Sequence, residues 1–273
     1  QTGGEGEGMT LSTQDLRDLA VQGEQCVRQA GAMIQDQWER PKAVQHKGRI
    51  DLVTETDTAV EDYLTAALHK VLPEARIVAE ERAGDVAPGE LAWVIDPVDG
   101  TTNFAHGLAH VAVSVGLWAE GEVVLGFVYI PRLHEFFVAW RGGGAFLNAT
   151  PIHVSEVGSL EQSVVATGFP YTVAENLETI LPPLGRVLAA TRGIRRLGAA
   201  AVDLAYTACG RFGGFYEYGL KPWDTAAGWV LVEEAGGRVT QVDGQTLYAL
   251  GSPSIMATNG YLHEALARTL GGV

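Results

Sequence analysis

Trp93-Val94-Ile95-Asp96-Pro97-Val98-Asp99-Gly100-Thr101-Thr102 is the stretch from which the rest of this chain is best read. The apolar run Leu91–Ile95 has the texture of a buried strand, and Asp96 falls at its carboxyl end. Pro97 fixes its own φ and has no N–H to pair, so Asp99 can turn back beside Asp96. Two carboxylates held close in an apolar wall repel each other. A divalent cation removes that repulsion, and hard oxygen ligands suit magnesium. Gly100 and Thr101 then offer backbone N–H groups of the kind that receive phosphate. The same residues also read as a plain turn, because Asp-Pro and Asp-Gly are common turn dipeptides.

Three more acidic places lie at element ends. Glu80-Glu81 closes the apolar run Arg76–Ala79, where a ligand would project from a sheet, or forms a solvated pair in a loop. Asp224 follows Trp223 and opens the apolar stretch to Glu234, as a ligand or as a helix cap. Asp51-Leu-Val-Thr-Glu-Thr-Asp57 reads equally as a turn and a cap into a helix.

Composition limits the class. With 273 residues, 47% of them hydrophobic, the chain can bury a large core. A net charge of −14 argues against a nucleic-acid partner, which would need clustered Lys and Arg. An acidic protein holds phosphate through bound cations, helix N-termini or a local basic pocket. No apolar run approaches the ~20 residues of a bilayer span, so no membrane partner is expected. Residues 1–10, Gly/Glu-rich, read as a leader or an expression remnant, with Met9 a candidate start and residues 11–273 one domain. Cys26 and Cys209 stand far apart with no metal-like spacing, and the simplest setting is a reducing cytoplasm.

Leu16, Leu19, Gly23, Val27, Ala30, Ile34 and Trp38 recur at helical spacing, with Ser12 or Thr13 as cap and Pro41 beyond. A second helix carries Val60, Leu64, Ala67, Leu68 and Val71, closed by Pro73. Strands are expected at Arg76–Ala79, Leu91–Ile95, Val111–Trp118 and Val123–Ile130. The run 122–140 forms a hairpin turning near Pro131, and Gly142–Gly144 is a turn. Further on, strands at Ser163–Thr167, Gly214–Glu217, Val239–Val242 and Ile255–Thr258 alternate with helices around 174–191, Ala199–Cys209, Trp223–Ala235 and Tyr261–Leu270. Helices and strands without a regular βαβ beat predict a layered α+β fold.

Taken in order, Asp51–Asp57, Glu80-Glu81, Asp96-Pro-Val-Asp-Gly-Thr-Thr-Asn-Phe104 and Trp223-Asp-Thr-Ala-Ala-Gly228 resemble the signature elements of the inositol monophosphatase family. Gly168-Phe-Pro-Tyr171, Arg196-Leu-Gly198 and Phe215–Trp223 add to the match, which covers the chain from about residue 11. The resemblance implies an αβαβα sandwich shared with fructose-bisphosphatase, usually as a homodimer. It implies magnesium-dependent hydrolysis of a small polyol phosphate, inositol 1-phosphate foremost. Glu80, Asp96 and the Val98 carbonyl would hold a first ion. Asp96, Asp99 and Asp224 would hold a second, and a third, weaker ion would lean on Glu80. The first ion would lower the pKa of the attacking water and the second would stabilise the leaving alkoxide. Thr101 and Asp51 would orient that water, with Glu81 behind the ligands and no covalent phosphoenzyme. Asp99, Gly100, Thr101, Ala200, Glu217 and Asp224 would contact substrate, Glu217 through its hydroxyls. One departure stands out: Ala199 occupies a position where the family usually has Ser or Thr, which removes a hydroxyl near the pocket.

Other chemistries find less support. Seven scattered histidines include no His-Glu-x-x-His pair. Ala112-Val-Ser114-Val-Gly116 lacks the first glycine of an esterase elbow and sits mid-strand. No Walker-type loop is present. Arg195-Arg196 reads either as a clamp for a second phosphate or as a solvated or subunit-facing pair. Fructose-1,6-bisphosphatase, nucleotide 3′-phosphatase and histidinol-phosphate phosphatase share the same metal core. A non-catalytic binding protein that kept the fold is the alternative from another class.

Overall fold

The structure is a computed structural model that describes residues 11–40, 44–46, 52–82 and 87–271. The expected leader, 1–10, and Asp51 lie outside the described residues. Helix α1 (Thr13–Gln37) is opened by Ser12, whose hydroxyl accepts the Asp15 N–H at 3.2 Å while its own N–H donates to the Asp15 carboxylate at 2.9 Å. That reciprocal pair satisfies two groups the first helical turn leaves bare. The short strands β1 (Val44–His46) and β2 (Leu52–Thr54) pair antiparallel ahead of α2 (Glu55–Val71).

Seven strands form one sheet in chain order: β3 (Arg76–Ala79), β4 (Leu91–Asp99), β5 (Ala112–Ala119), β6 (Glu122–Ile130), β7 (Glu135–Trp140), β8 (Gly144–Leu147) and β9 (Thr150–Ile152). The helix α3 (Thr101–Ala105) lies between β4 and β5. The expected hairpin over 122–140 is present and turns at Pro131–Leu133. Strands β8 and β9 were not expected. Both are short, and β9 carries Pro151 at the sheet edge, where a missing N–H costs no ladder bond.

The second sheet has the order β11-β10-β12-β14-β13, built from β10 (Val164–Thr167), β11 (Gly193–Arg195), β12 (Gly214–Tyr218), β13 (Arg238–Thr240) and β14 (Ser254–Thr258). Between its strands run α4 (Leu177–Ala190), α5 (Ala200–Ala208) and α6 (Pro222–Glu234), and α7 (His263–Leu270) closes the order.

The apolar faces set the layering. Helices α1 and α2 cover one face of the larger sheet, burying Val27, Ile34, Leu64 and Leu68 against Trp93, Leu117 and Phe127. On its other face lie α5 and α6, which also touch the smaller sheet. Both helices are enclosed all round, with Ala200–Ala208 and Thr225–Val232 buried, as a helix between two sheets must be. Helices α4 and α7 cover the far face of the smaller sheet through Val187, Leu266 and Leu270. The order is therefore helices, sheet, helices, sheet, helices: the expected αβαβα sandwich. No described helix is long and apolar enough to cross a membrane. Cys26 and Cys209 are both free thiols.

Candidate active site

The strand expected to end at Ile95 continues to Asp99, but its pairing slips on the way. Asp96 lies opposite Ser114 and Asp99 opposite Ala112, with a register irregularity between them. In a regular strand, residues three apart point to opposite faces. Here Pro97 contributes no N–H, and the Asp96 carboxylate accepts the Val98 N–H at 3.0 Å, which folds the segment on itself. Strand β3 runs parallel beside β4, pairing Ala79 with Ile95, and the Glu80 N–H donates to the Ile95 carbonyl at 3.2 Å. Glu80 therefore leaves its strand next to Asp96. Asp224 arrives from the first turn of α6, where its carboxylate accepts the Lys221 N–H at 2.7 Å. It serves as a helix cap and faces the other acids at once.

Electrostatics record this convergence. Asp96, 2% exposed, is pushed well above the ordinary carboxylate range, first by burial and then by Glu80, Asp99 and Asp224, with a Glu80–Asp96 hydrogen bond adding to the effect. Asp99 is raised to about 7 by burial, partly offset by N–H groups at the start of α5; that of Ala201 lies 2.7 Å from its carboxylate. Among the described residues, no three His, Cys, Asp or Glu side chains are gathered tightly enough to hold an ion as they stand. The donor set nonetheless fits one. The side chains that act most on Asp96, those of Glu80, Asp99 and Asp224, are all hard, anionic oxygen donors.

Thr101 sits at the start of α3, and its hydroxyl lies 2.8 Å from Asp57 and 3.1 Å from the Val98 carbonyl. Asp51, expected as the partner of Thr101, lies outside the described residues; among those described, the acid beside Thr101 is Asp57, fully buried in the first turn of α2. One Asp57 oxygen receives the Thr54 N–H at 2.9 Å and the Thr54 hydroxyl, which leaves the other aimed at Thr101. Thr54-x-x-Asp57 has capping-box spacing, a signal in the sequence that places Asp57 in the first turn of a helix. Glu81 lies beside this region, its N–H donating to Glu61 at 2.6 Å.

The other end of the cleft belongs to the smaller sheet. Glu217 on β12 is 6% exposed and raised to about 8 by burial and by Asp224 and Asp99, while Arg196 opposes the shift. Its carboxylate rests on Gly168, where an added Cβ would come within 2.1 Å of it. The glycine that opens Gly168-Phe-Pro-Tyr171 is thus a slot for Glu217. Asp203 on α5, missed in the sequence, is 1% exposed, and its Oδ1 has no hydrogen-bond partner. Burial, Glu217 and Asp99 raise it well above the usual range.

Asn103 ties the two ends together. Its amide donates to the carbonyls of His110 at 2.7 Å and Leu197 at 2.8 Å, fastening the segment after Asp99 to the loop before α5. Ala200 begins α5, and Ala199 is its N-cap, 3% exposed and without a side-chain cap. The hydroxyl absent at 199 is therefore a helix-capping group by position, and the Asp99 carboxylate takes the Ala201 N–H instead. Ser114 is fully buried mid-strand, its hydroxyl 3.4 Å from the Trp223 carbonyl, so it packs β5 against α6.

The sequence profile of the inositol monophosphatase family matches residues 15–272. The chain belongs to the inositol monophosphatase family. Like other members, this phosphatase has relatives under two names. It is 41% identical over 263 residues to an inositol-1-monophosphatase of Synechocystis, covering 95% of this chain and 91% of the relative. It is 40% identical over 243 residues to the Nus factor SuhB of Escherichia coli K12, covering 88% and 90%. Its fold superposes on an inositol monophosphatase from Anabaena with a TM-score of 0.85, at 36% identity, covering 94% of this chain and 96% of the other.

Proposed function

We propose that this family member hydrolyses a small polyol phosphate monoester, inositol 1-phosphate foremost, with magnesium and a directly attacking water. The observation that carries the reading is the convergence of Glu80, Asp99 and Asp224 on the buried Asp96, each of them raising it. Glu80, Asp96, Asp99, Asp224 and the Val98 carbonyl would hold two to three ions. Such ions supply a Lewis acid and lower the pKa of water.

The remaining work falls to the chain itself. The Thr101 hydroxyl donates to Asp57 and keeps a lone pair free to accept a hydrogen bond from the attacking water. Asp57, whose pKa burial raises, is placed to receive the proton passed through Thr101. The N–H groups of Gly100 and Thr101 would meet the phosphate, and Ala200 and Glu217 the leaving alcohol. We further read the protein as a cytoplasmic homodimer, the former supported by its two free thiols.

Phosphate release from inositol 1-phosphate, glycerol 2-phosphate, histidinol phosphate and fructose 1,6-bisphosphate tests the reading. Activity should vanish in chelator and return with magnesium, while calcium, larger and looser in geometry, supports little turnover. Full activity without metal would sink the mechanism. A preference for histidinol phosphate, lost in Glu217→Gln, would mean that Glu217 reads an amine. No release from any ester would favour a binding protein that kept the fold.

A further inference from the structure

Two stretches of chain, residues 99–103 and 197–201, run side by side between the two ends of the cleft. Gly100 has φ +91°, and an added Cβ there would come within 2.9 Å of the His110 carbonyl oxygen and 3.3 Å of that of Gly198. Gly198 has φ +86°, and its added Cβ would lie 3.2 Å from both the amide nitrogen and the amide oxygen of Asn103. Glycine permits both the angles and the close approach. Just upstream, Arg195 and Arg196 turn apart. The Arg195 Nη1 donates to the Ile194 carbonyl at 2.9 Å, and the Arg196 guanidinium carbon sits 5.7 Å from the centre of the Phe169 ring.

The stretches are joined at two points. At one, the Ala201 N–H donates to the Asp99 carboxylate at 2.7 Å. At the other, the Asn103 Nδ2 donates to the Leu197 carbonyl at 2.8 Å and, with its second hydrogen, to the His110 carbonyl at 2.7 Å. Asn103 is 5% exposed, and its own carbonyl accepts the Leu108 N–H at 2.8 Å. A primary amide suits this joint because it offers two donors, whereas a carboxylate would face both carbonyls with acceptors only. Asp99 belongs to the proposed metal set. The Asn103 side chain is uncharged, and both its hydrogen bonds go to backbone.

We propose that Asn103 is a positioning residue for the alcohol end of the substrate. By holding the Leu197 carbonyl, it sets how far residues 198–200 stand from the Gly100 and Thr101 N–H groups that would receive the phosphate. The inference rests on the polyol-phosphate reading above, which puts Ala200 against the leaving alcohol. In one bound ester the phosphorus and the hydroxyls lie at set separations, so a displaced Ala200 loses the hydroxyls while the phosphate keeps its contacts. The competing reading is a staple for the fold alone, whose loss would slow every ester alike. Asn259 is such a staple. It is 2% exposed, its amide donates to Ser155 Oγ at 3.0 Å and to the Val157 carbonyl at 2.8 Å, and it follows the end of β14 remote from the Ile255 that pairs with Glu217.

The test is steady-state kinetics on inositol 1-phosphate and glycerol 2-phosphate across a magnesium series, with thermal melts of each protein. Wild type is compared with Asn103→Ala, Asn103→Ser and Asn259→Ala. Asn103→Ala should lower kcat/KM for inositol 1-phosphate by about tenfold, mainly through KM, the scale of one lost hydrogen bond. Glycerol 2-phosphate, with fewer hydroxyls to place, should lose less. Asn103→Ser keeps one donor and should fall between wild type and Asn103→Ala. It carries the comparison by itself if Asn103→Ala does not fold. The magnesium concentration for half-activation should stay at the wild-type value in both. Asn259→Ala should lower the melting temperature and leave the ratio of kcat/KM on the two esters unchanged. Equal losses on both esters in the Asn103 variants would overturn the proposal. So would a shifted ratio in Asn259→Ala, or a shifted magnesium requirement in the Asn103 variants. A wild type inactive on every ester overturns the phosphatase reading and this inference with it. A wild type active on inositol 1-phosphate, with a ratio indifferent to both Asn103 variants, overturns this inference alone.

Discussion

The larger sheet brings Glu80, Asp96 and Asp99 to the cleft from two neighbouring strands, whereas the smaller sheet contributes Glu217 alone and leaves Asp203 and Arg196 to a helix and a loop. The first end is a cluster of like charges. Burial and mutual repulsion both raise Asp96. At the second end a cation is present, and Arg196 opposes the shifts of Glu217 and Asp203. An end made of anions alone suits a ligand that brings its own positive charge. An end with balanced charges suits a neutral, hydrogen-bonding group. On the reading proposed above, the difference would separate two tasks: holding ions and phosphate, and recognising the alcohol.

The strongest way to break this division is at the anionic end. Asp224→Asn or Asp99→Asn should lower magnesium-dependent turnover by roughly three powers of ten or more, the scale of a lost electrostatic stabiliser. The metal-free fold should survive with an equal or higher melting temperature, since one repelling charge is gone. Near-normal turnover in Asp224→Asn would remove it from the ligand set.

At the balanced end the effect should be smaller and selective. Glu217→Gln should reduce kcat/KM for inositol 1-phosphate by about tenfold to a hundredfold, the worth of a hydrogen bond to a charged group. Glycerol 2-phosphate, with fewer hydroxyls, should lose less. Gly168→Ala should reproduce the same selectivity, because its Cβ would enter the Glu217 slot. Equal losses on both esters would mean that Glu217 does not read the alcohol.

A pH series distinguishes the ends further. Asp99 is raised from 3.8 to about 7 in the metal-free protein, so below that pH an ion must displace its proton. The magnesium concentration for half-activation should fall by about tenfold or more per unit as pH rises toward 7, because Asp96, raised as well, must lose its proton along with Asp99. The metal-free protein should show the opposite trend. A carboxyl raised on folding stabilises fully below its unfolded pKa, and that stability is lost as pH rises through the folded value. Magnesium titrations and thermal melts across pH 5 to 8 would check both slopes.

The smallest effect expected is on stability alone. Asp203 is buried, raised and has an unpartnered oxygen, so Asp203→Asn removes a group whose ionisation opposes folding as pH rises. The variant should melt at a higher temperature than the wild type near neutral pH, and the gain should be smaller at pH 5. A gain that does not grow with pH would mean that Asp203 does not ionise on unfolding.

Much of this was legible before any coordinates. Helical periodicity located α1, and apolar runs located β3 to β7, because both patterns repeat within a few turns or pleats of one element. The pairing of Asp96 with Asp99 was readable for the same reason: they lie three positions apart with a proline between them. Tertiary structure decided what depends on distance across the chain. That Asp57 meets Thr101 turns on how α2 packs beside α3, and the buried Asp57 reaches it across 44 positions. The role of position 199 as a helix cap, the slot at Gly168 and the separation of Arg196 from Arg195 appear only once the two sheets enclose α5. A sequence pattern records which side chains share a face of one element. Desolvation and charge balance depend on every element that closes over the site, and packing alone sets those.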